Sequence, residues 1–137
     1  MKQLMKSNIY DVAETIIVVG SYLRNIQPKG YEELKKISNN IYELCLEATH
    51  INMAIMKIGG MIRTNKIKKI IFASVDKSPH CIQLHYIQGE LRKMMDLSNI
   101  DIENYVIVDN KLITISIETI ELSKNLSKLS ILNTEGK

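Results

Sequence analysis

A chain of 137 residues with 45% apolar content is long enough to bury a core of its own without metals or disulfides. That core is expected to be aliphatic, because there is no tryptophan and a single phenylalanine, Phe72. The formal net charge of +3 falls far short of the dense positive field of a nucleic-acid binder. The one basic cluster, Arg63, Lys66, Lys68 and Lys69, has no interleaved aromatic residue to stack on a base and reads as a solvated edge.

A membrane-spanning role fails on length, since no stretch approaches the roughly 20 apolar residues a bilayer requires. The apolar run at residues 16–19 follows Lys2 and Lys6 as in a secretion signal, but it is too short and Asp11 and Glu14 interrupt its approach. The expectation is a soluble, cytoplasmic protein with no membrane and no nucleic-acid partner. Cys45 and Cys81, the only cysteines, are then expected to be free thiols.

In chain order, Val12, Ile16, Val19, Leu23 and Ile26 recur at steps of four and three, which predicts a helix over residues 11–26. The β-branched run 15–19 argues for a strand instead, and periodicity is given the greater weight. Gln27, Pro28, Lys29 and Gly30 form a turn signal. Residues 34–58 then carry apolar side chains at Leu34, Ile37, Ile41, Leu44, Ala48, Ile51, Ile55 and Ile58, the spacing of a long helix ending at Gly59 and Gly60. Two such stripes predict an antiparallel helical hairpin. The longer helix has seam to spare, which allows a homodimer through that face.

Residues 68–75 have the length and the β-branched and aromatic content of a buried strand. Ser78 suits an N-cap and Pro79 a first helical position, so a helix is expected from there to about residue 95. Residues 105–109 and 112–116 read as short strands around a tight turn at Asn110. A last helix over residues 118–132 places Leu122, Leu126 and Leu129 on one side, although its Ser and Asn content works against it. The predicted fold class is α/β: a long antiparallel helical hairpin, then strand, helix, strand and strand in a small mixed sheet, with a C-terminal helix. Residues 1–132 form one domain, and 133–137 are expected to fray.

The chemistry concentrates where the 68–75 strand hands over to a helix, the edge at which open α/β sheets hold ligands. Six residues there define a candidate ligand site: Asp76, Ser78, His80, Cys81, His85 and Gly89. A helix start favours an anion or a thiolate, so Cys81 in the first turn is a candidate nucleophile or redox thiol. His80 beside it and His85 one helical turn on are candidate proton carriers, and Gly89 extends the same face.

Each residue also has a plain structural explanation: Ser-Pro as a cap, Cys as a small buried hydrophobe, His as a core hydrogen-bonding group. No Cys-x-x-Cys is present, which excludes a self-contained dithiol cycle unless Cys45 folds beside Cys81. No Walker loop and no Gly-x-Gly-x-x-Gly supports nucleotide binding. Cys45, His50, Cys81 and His85 lack the paired spacing of a zinc site, and no metal is expected. A triad of Asp76, Ser78 and His80 is discounted because sequence neighbours rarely converge on one substrate atom.

Two readings of function follow. One is a site for a small anionic ligand or for thiol-based redox or sulfur chemistry at the Ser-Pro-His-Cys turn, with no cofactor specified. The alternative is a helical interaction or oligomerisation module in which that turn is only a cap.

Overall fold

The computed structural model describes residues 2–135. Residues 136 and 137 of the expected tail lie outside it, while 133–135 continue the last helix. A six-stranded sheet is built from β1 (Lys2–Gln3), β2 (Thr15–Gly20), β3 (Ile41–Leu44), β4 (Lys69–Val75), β5 (Asp101–Val108) and β6 (Lys111–Thr114). The spatial order is β1-β3-β2-β4-β5-β6, parallel throughout except for β6, which pairs antiparallel with β5.

Helices cover both faces, as a parallel sheet requires. Ala54, Ile58 and Met61 of α3 (Ile51–Arg63) and Ile87 and Leu91 of α4 (Ile87–Met94) pack on one face with Ile16, Val18, Ile70 and Phe72. Leu23 of α1 (Leu23–Ile26) and Tyr31 and Leu34 of α2 (Pro28–Ile37) pack on the other with Ile17, Val19, Ile71 and Ala73. Two further helices, α5 (Ile117–Ser123) and α6 (Leu126–Glu135), follow the sheet.

The predicted helical hairpin is not formed. Of its first helix only Leu23–Ile26 is helical, as α1, and the centre is β2: residues 16–19 are four consecutive β-branched side chains, all fully buried, because a central parallel strand buries both of its faces. The stripe at residues 34–58 is divided among α2, β3 and α3, so the long helix expected to carry a dimer seam is not formed. Ser38 ends α2 by donating its hydroxyl to the Thr15 carbonyl at 2.9 Å and accepting from the Asn40 N–H at 3.1 Å. The polar trio at 38–40 is therefore a loop, and Ile41 and Leu44 belong to a strand whose four residues are all buried.

The β5–β6 turn does more than reverse the chain. Asp109 and Asn110 adopt φ of 50° and 60°, the left-handed pair that a two-residue hairpin demands. From there Asn110 Oδ1 accepts the Lys29 and Gly30 N–H groups at 3.1 and 3.3 Å, while its own N–H donates to Gln27 Oε1 at 2.8 Å. The hairpin thus caps α2, whose own preceding residue Gln27 supplies no side-chain cap. Gly30 permits the approach, since a Cβ there would stand 2.6 Å from Ile107 Cγ2.

Asn110→Gly keeps the turn conformation and removes the cap, and is expected to cost about 1 kcal/mol in urea unfolding, whereas Asn110→Asp should be nearly neutral. Equal stability of the Gly variant and the parent would refute the capping role.

Candidate functional site

The connection after β2 leads to β3 on one side and the connection after β4 leads to β5 on the other, so the strand order reverses between β2 and β4. Ligands of open α/β sheets lie at the carboxyl edge near such a reversal. The loop at residues 76–80 rises from this edge and separates two cavities.

The larger is a cleft of about 420 Å³ on the β5 side. Ser74, Asp76, Lys77, Ser78, Ile82 and His85 line it from β4 and the following loop, and Val106, Ile115, Ile120 and Ser123 close it from β5, the β6 exit and α5. Its walls are mainly apolar. Ser116 caps α5 by accepting the Thr119 N–H at 3.1 Å, and the Tyr86 and Ser123 hydroxyls meet at 3.0 Å, which holds α5 against the segment after the loop.

At the floor of the cleft, His85 is 1% exposed with both ring nitrogens engaged. Asn104 Oδ1 lies 2.9 Å from Nδ1 and Ser74 Oγ lies 2.7 Å from Nε2. A carbonyl oxygen only accepts, so Nδ1 carries the proton and Nε2 accepts from the Ser74 hydroxyl. Burial pushes the His85 pKa below the ordinary 6.5, with the Asn104 hydrogen bond opposing the change. The ring is neutral, satisfied, and ties the loop's exit to both β4 and β5.

The smaller cavity is a crevice of about 30 Å³ on the β3 side, lined by Ser21, Leu44, Cys45, Glu47, Ser78, His80 and Cys81 among others. Cys81 Sγ lies 2.8 Å from where a Gly20 Cβ would be, so the sulfur occupies the space left open by that glycine. His80 Nε2 and Glu47 Oε1 stand 3.3 Å apart across the mouth.

The loop therefore distributes the six sequence-predicted residues. Asp76, Ser78 and His85 face the cleft; His80, Cys81 and again Ser78 face the crevice. Gly89 faces neither, and lies on α4 beside the side chains of Glu121 and Lys124. Cys81 and His85 diverge because Cys81–Tyr86 is a 3-10 helix, in which residues four apart are about 120° out of line. Ser78 does act as the expected cap, accepting the Cys81 N–H at 3.3 Å. A six-residue 3-10 segment does not offer the aligned α-helical amino terminus on which the anion argument rested.

Sequence reasoning missed Ser74, Asn104 and the apolar wall from β5 to α5. Asn104 carried a usable signal, because it shares an inward-facing alternation with Ile102 and Val106, where a polar residue needs a buried partner. Among the described residues no three of His, Cys, Asp and Glu converge on a metal position.

The doubly covered parallel sheet agrees with a family model described as a Rossmann-like domain, which matches residues 12–136. The chain belongs to that Rossmann-like domain family. No curated protein and no solved structure matches it. Among the described residues no helix is long and apolar enough to cross a membrane. For this Rossmann-like domain, the family establishes the fold, and the site must be argued from its own chemistry.

The buried imidazole makes stability depend on pH. The unfolded chain binds a proton at His85 near 6.5 and the folded chain resists it, so stability is full above 6.5 and falls as pH drops below it. Urea unfolding between about pH 7 and 5 is expected to show this loss in the parent and a flatter profile in His85→Gln. Ser74→Ala, which leaves Nε2 without a donor, should cost about 1–3 kcal/mol at pH 7. Identical pH profiles for the parent and His85→Gln would contradict the assignment of a neutral, buried ring.

Proposed function

We propose that this Rossmann-like domain binds a small organic molecule with an apolar body and an anionic end in the cleft between the 76–80 loop and α5. The observation that carries the reading is the cleft itself: about 420 Å³ at the carboxyl edge of the sheet, within the usual size range of small-molecule sites. Ile82, Val106, Ile115 and Ile120 would cover the apolar body. Lys77 supplies the positive charge at the rim, and the hydroxyls of Ser78, Thr119 and Ser123 supply hydrogen bonds.

In this reading Ser78 binds the anionic end and Asp76, which only accepts hydrogen bonds, faces a donor on the ligand body, whereas His85 shapes the floor through Ser74 and Asn104. The anionic preference rests on Lys77 rather than on a helix dipole. The free state of both cysteines fits the reducing cytosol expected for the chain. The interaction-module reading loses its main support, because the stripe that would have formed its seam is split between two helices and a buried strand.

Anilinonaphthalene sulfonate, an aromatic body with an anionic end, is a direct probe of this chemistry. Saturable one-site fluorescence is expected with the folded parent. Ile82→Trp, at a position 39% exposed and therefore tolerant of size, should fill the cleft and weaken binding at least about tenfold. Lys77→Gln should weaken it by a smaller factor. Equal binding by parent and Ile82→Trp, or binding only near the unfolding transition, would remove the cleft as the site.

A further inference from the structure

The crevice on the other side of the loop holds the chain's only two cysteines. They stand far apart in sequence, Cys45 just beyond β3 and Cys81 beyond β4, with the end of β2 between them. An ordinary side chain at the end of β2 would collide with the Cys81 sulfur. That position is Gly20, and the Cys81 sulfur lies in the space its missing Cβ leaves, 2.8 Å from the Cβ position.

Register brings the backbone of the second cysteine close, and both cysteines line the same crevice. Gly20 pairs with Leu44, the residue before Cys45. With strands about 4.8 Å apart and a rise of about 3.3 Å per residue, the Cys45 Cα lies about 6 Å from the Gly20 Cα over which the Cys81 sulfur is packed. Two turns carry the pair: Cys45 begins a turn in which its carbonyl accepts the Ala48 and Thr49 N–H groups at 3.3 and 3.0 Å, and Cys81 follows the 76–80 loop. The His80–Glu47 pair, 3.3 Å apart, links those two turns directly. Loops, unlike paired strands, can move so that the two α-carbons come within the roughly 5.5–6 Å of a disulfide.

We infer that Cys45 and Cys81 form a dithiol site for thiol–disulfide exchange with low-molecular-weight disulfides of the glutathione class, assembled where the strand order reverses. The Cys81 thiolate attacks one sulfur of the disulfide RSSR; the RS–SR bond breaks, a Cys81–SR mixed disulfide forms, and RS⁻ leaves and takes up a proton. The Cys45 thiolate then attacks the Cys81 sulfur, releasing the second RS⁻ and closing the Cys45–Cys81 bond. The protein loses two electrons and two protons, and RSSR becomes two RSH. Excess RSH reverses both steps. His80, half-exposed beside the crevice, positions the Cys45 turn through Glu47 and takes no part in bond making.

The site is separate from the cleft, so its test is independent of the binding reading. The reduced full-length protein is incubated with glutathione disulfide in defined glutathione buffers and followed by intact mass and peptide mapping. The expected product is a monomer lighter by two hydrogen atoms with Cys45 linked to Cys81, and Cys45→Ser should stop at the Cys81–glutathione adduct. Effective concentration in the folded protein should exceed that in denaturant by at least about tenfold, since the fold and not chain flexibility brings the thiols together. Far-UV circular dichroism and urea unfolding report that the Cys45→Ser variant remains folded. Glutathione adducts without an internal bond, disulfide-linked dimers, inert thiols, or equal effective concentrations with and without denaturant would each overturn the proposal.

Discussion

A neutral imidazole enclosed in a protein core must find one acceptor and one donor, and His85 finds them on two adjacent strands, Asn104 of β5 and Ser74 of β4. Much of the carboxyl edge follows from that demand. With the ring pinned inward at the fifth position of a 3-10 segment, the first position turns toward β2, which sends the Cys81 sulfur over Gly20. The loop before it then stands as a partition with open space on its β5 side. One buried polar contact thus sets the directions of two cavities, and it does so through an arrangement in which every ring nitrogen is satisfied.

The second half of the chain was largely legible, and the first half was not, for a reason that residues 16–19 and 34–58 share. A parallel strand buried on both faces has no alternation, so its only sequence mark is a short β-branched run, and any such run contains pairs at helical spacing. In residues 34–58 the apparent heptads joined Leu34 of a helix to Ile41 and Leu44 of a strand and to Ile55 and Ile58 of a second helix. All five are buried, but against different partners. Burial was read correctly at these five positions but not at Ile37 and Ala48, which are exposed, and the geometry of the stripe was misread throughout. The overlooked information lay in the polar interruptions, Ser38 to Asn40 above all, where the Ser38 side chain hydrogen-bonds backbone instead of continuing a helix.

The site was legible as a place more than as a set. The turn from β4 was located because Asp76, Ser78 and Pro79 carry local turn and cap chemistry, which sequence displays directly. The grouping of Cys81, His85 and Gly89 on one face assumed about 3.6 residues per turn, and a 3-10 helix breaks that assumption within six residues. Partners contributed from afar were hidden for a different reason. Cys45 meets the Cys81 crevice only because β3 pairs with β2, and Asn104 meets His85 only because β5 pairs with β4. Such meetings are properties of strand order, which no local pattern encodes.

Strand order also decides what membership of a Rossmann-like family implies here. In dinucleotide-binding members of this architecture, the turn after the strand at the reversal is glycine-rich, so that pyrophosphate can approach the backbone at the start of a full helix. Here the corresponding strand is β2, and its turn holds one glycine, Gly20, followed by Ser21 and Tyr22 and a helix of only four residues. The open face of that glycine is already taken by the Cys81 sulfur. The position that serves cofactor binding elsewhere in the architecture is therefore occupied from within the chain. At this edge of the sheet, the larger space open to a ligand lies on the far side of the 76–80 loop, against β5 and α5.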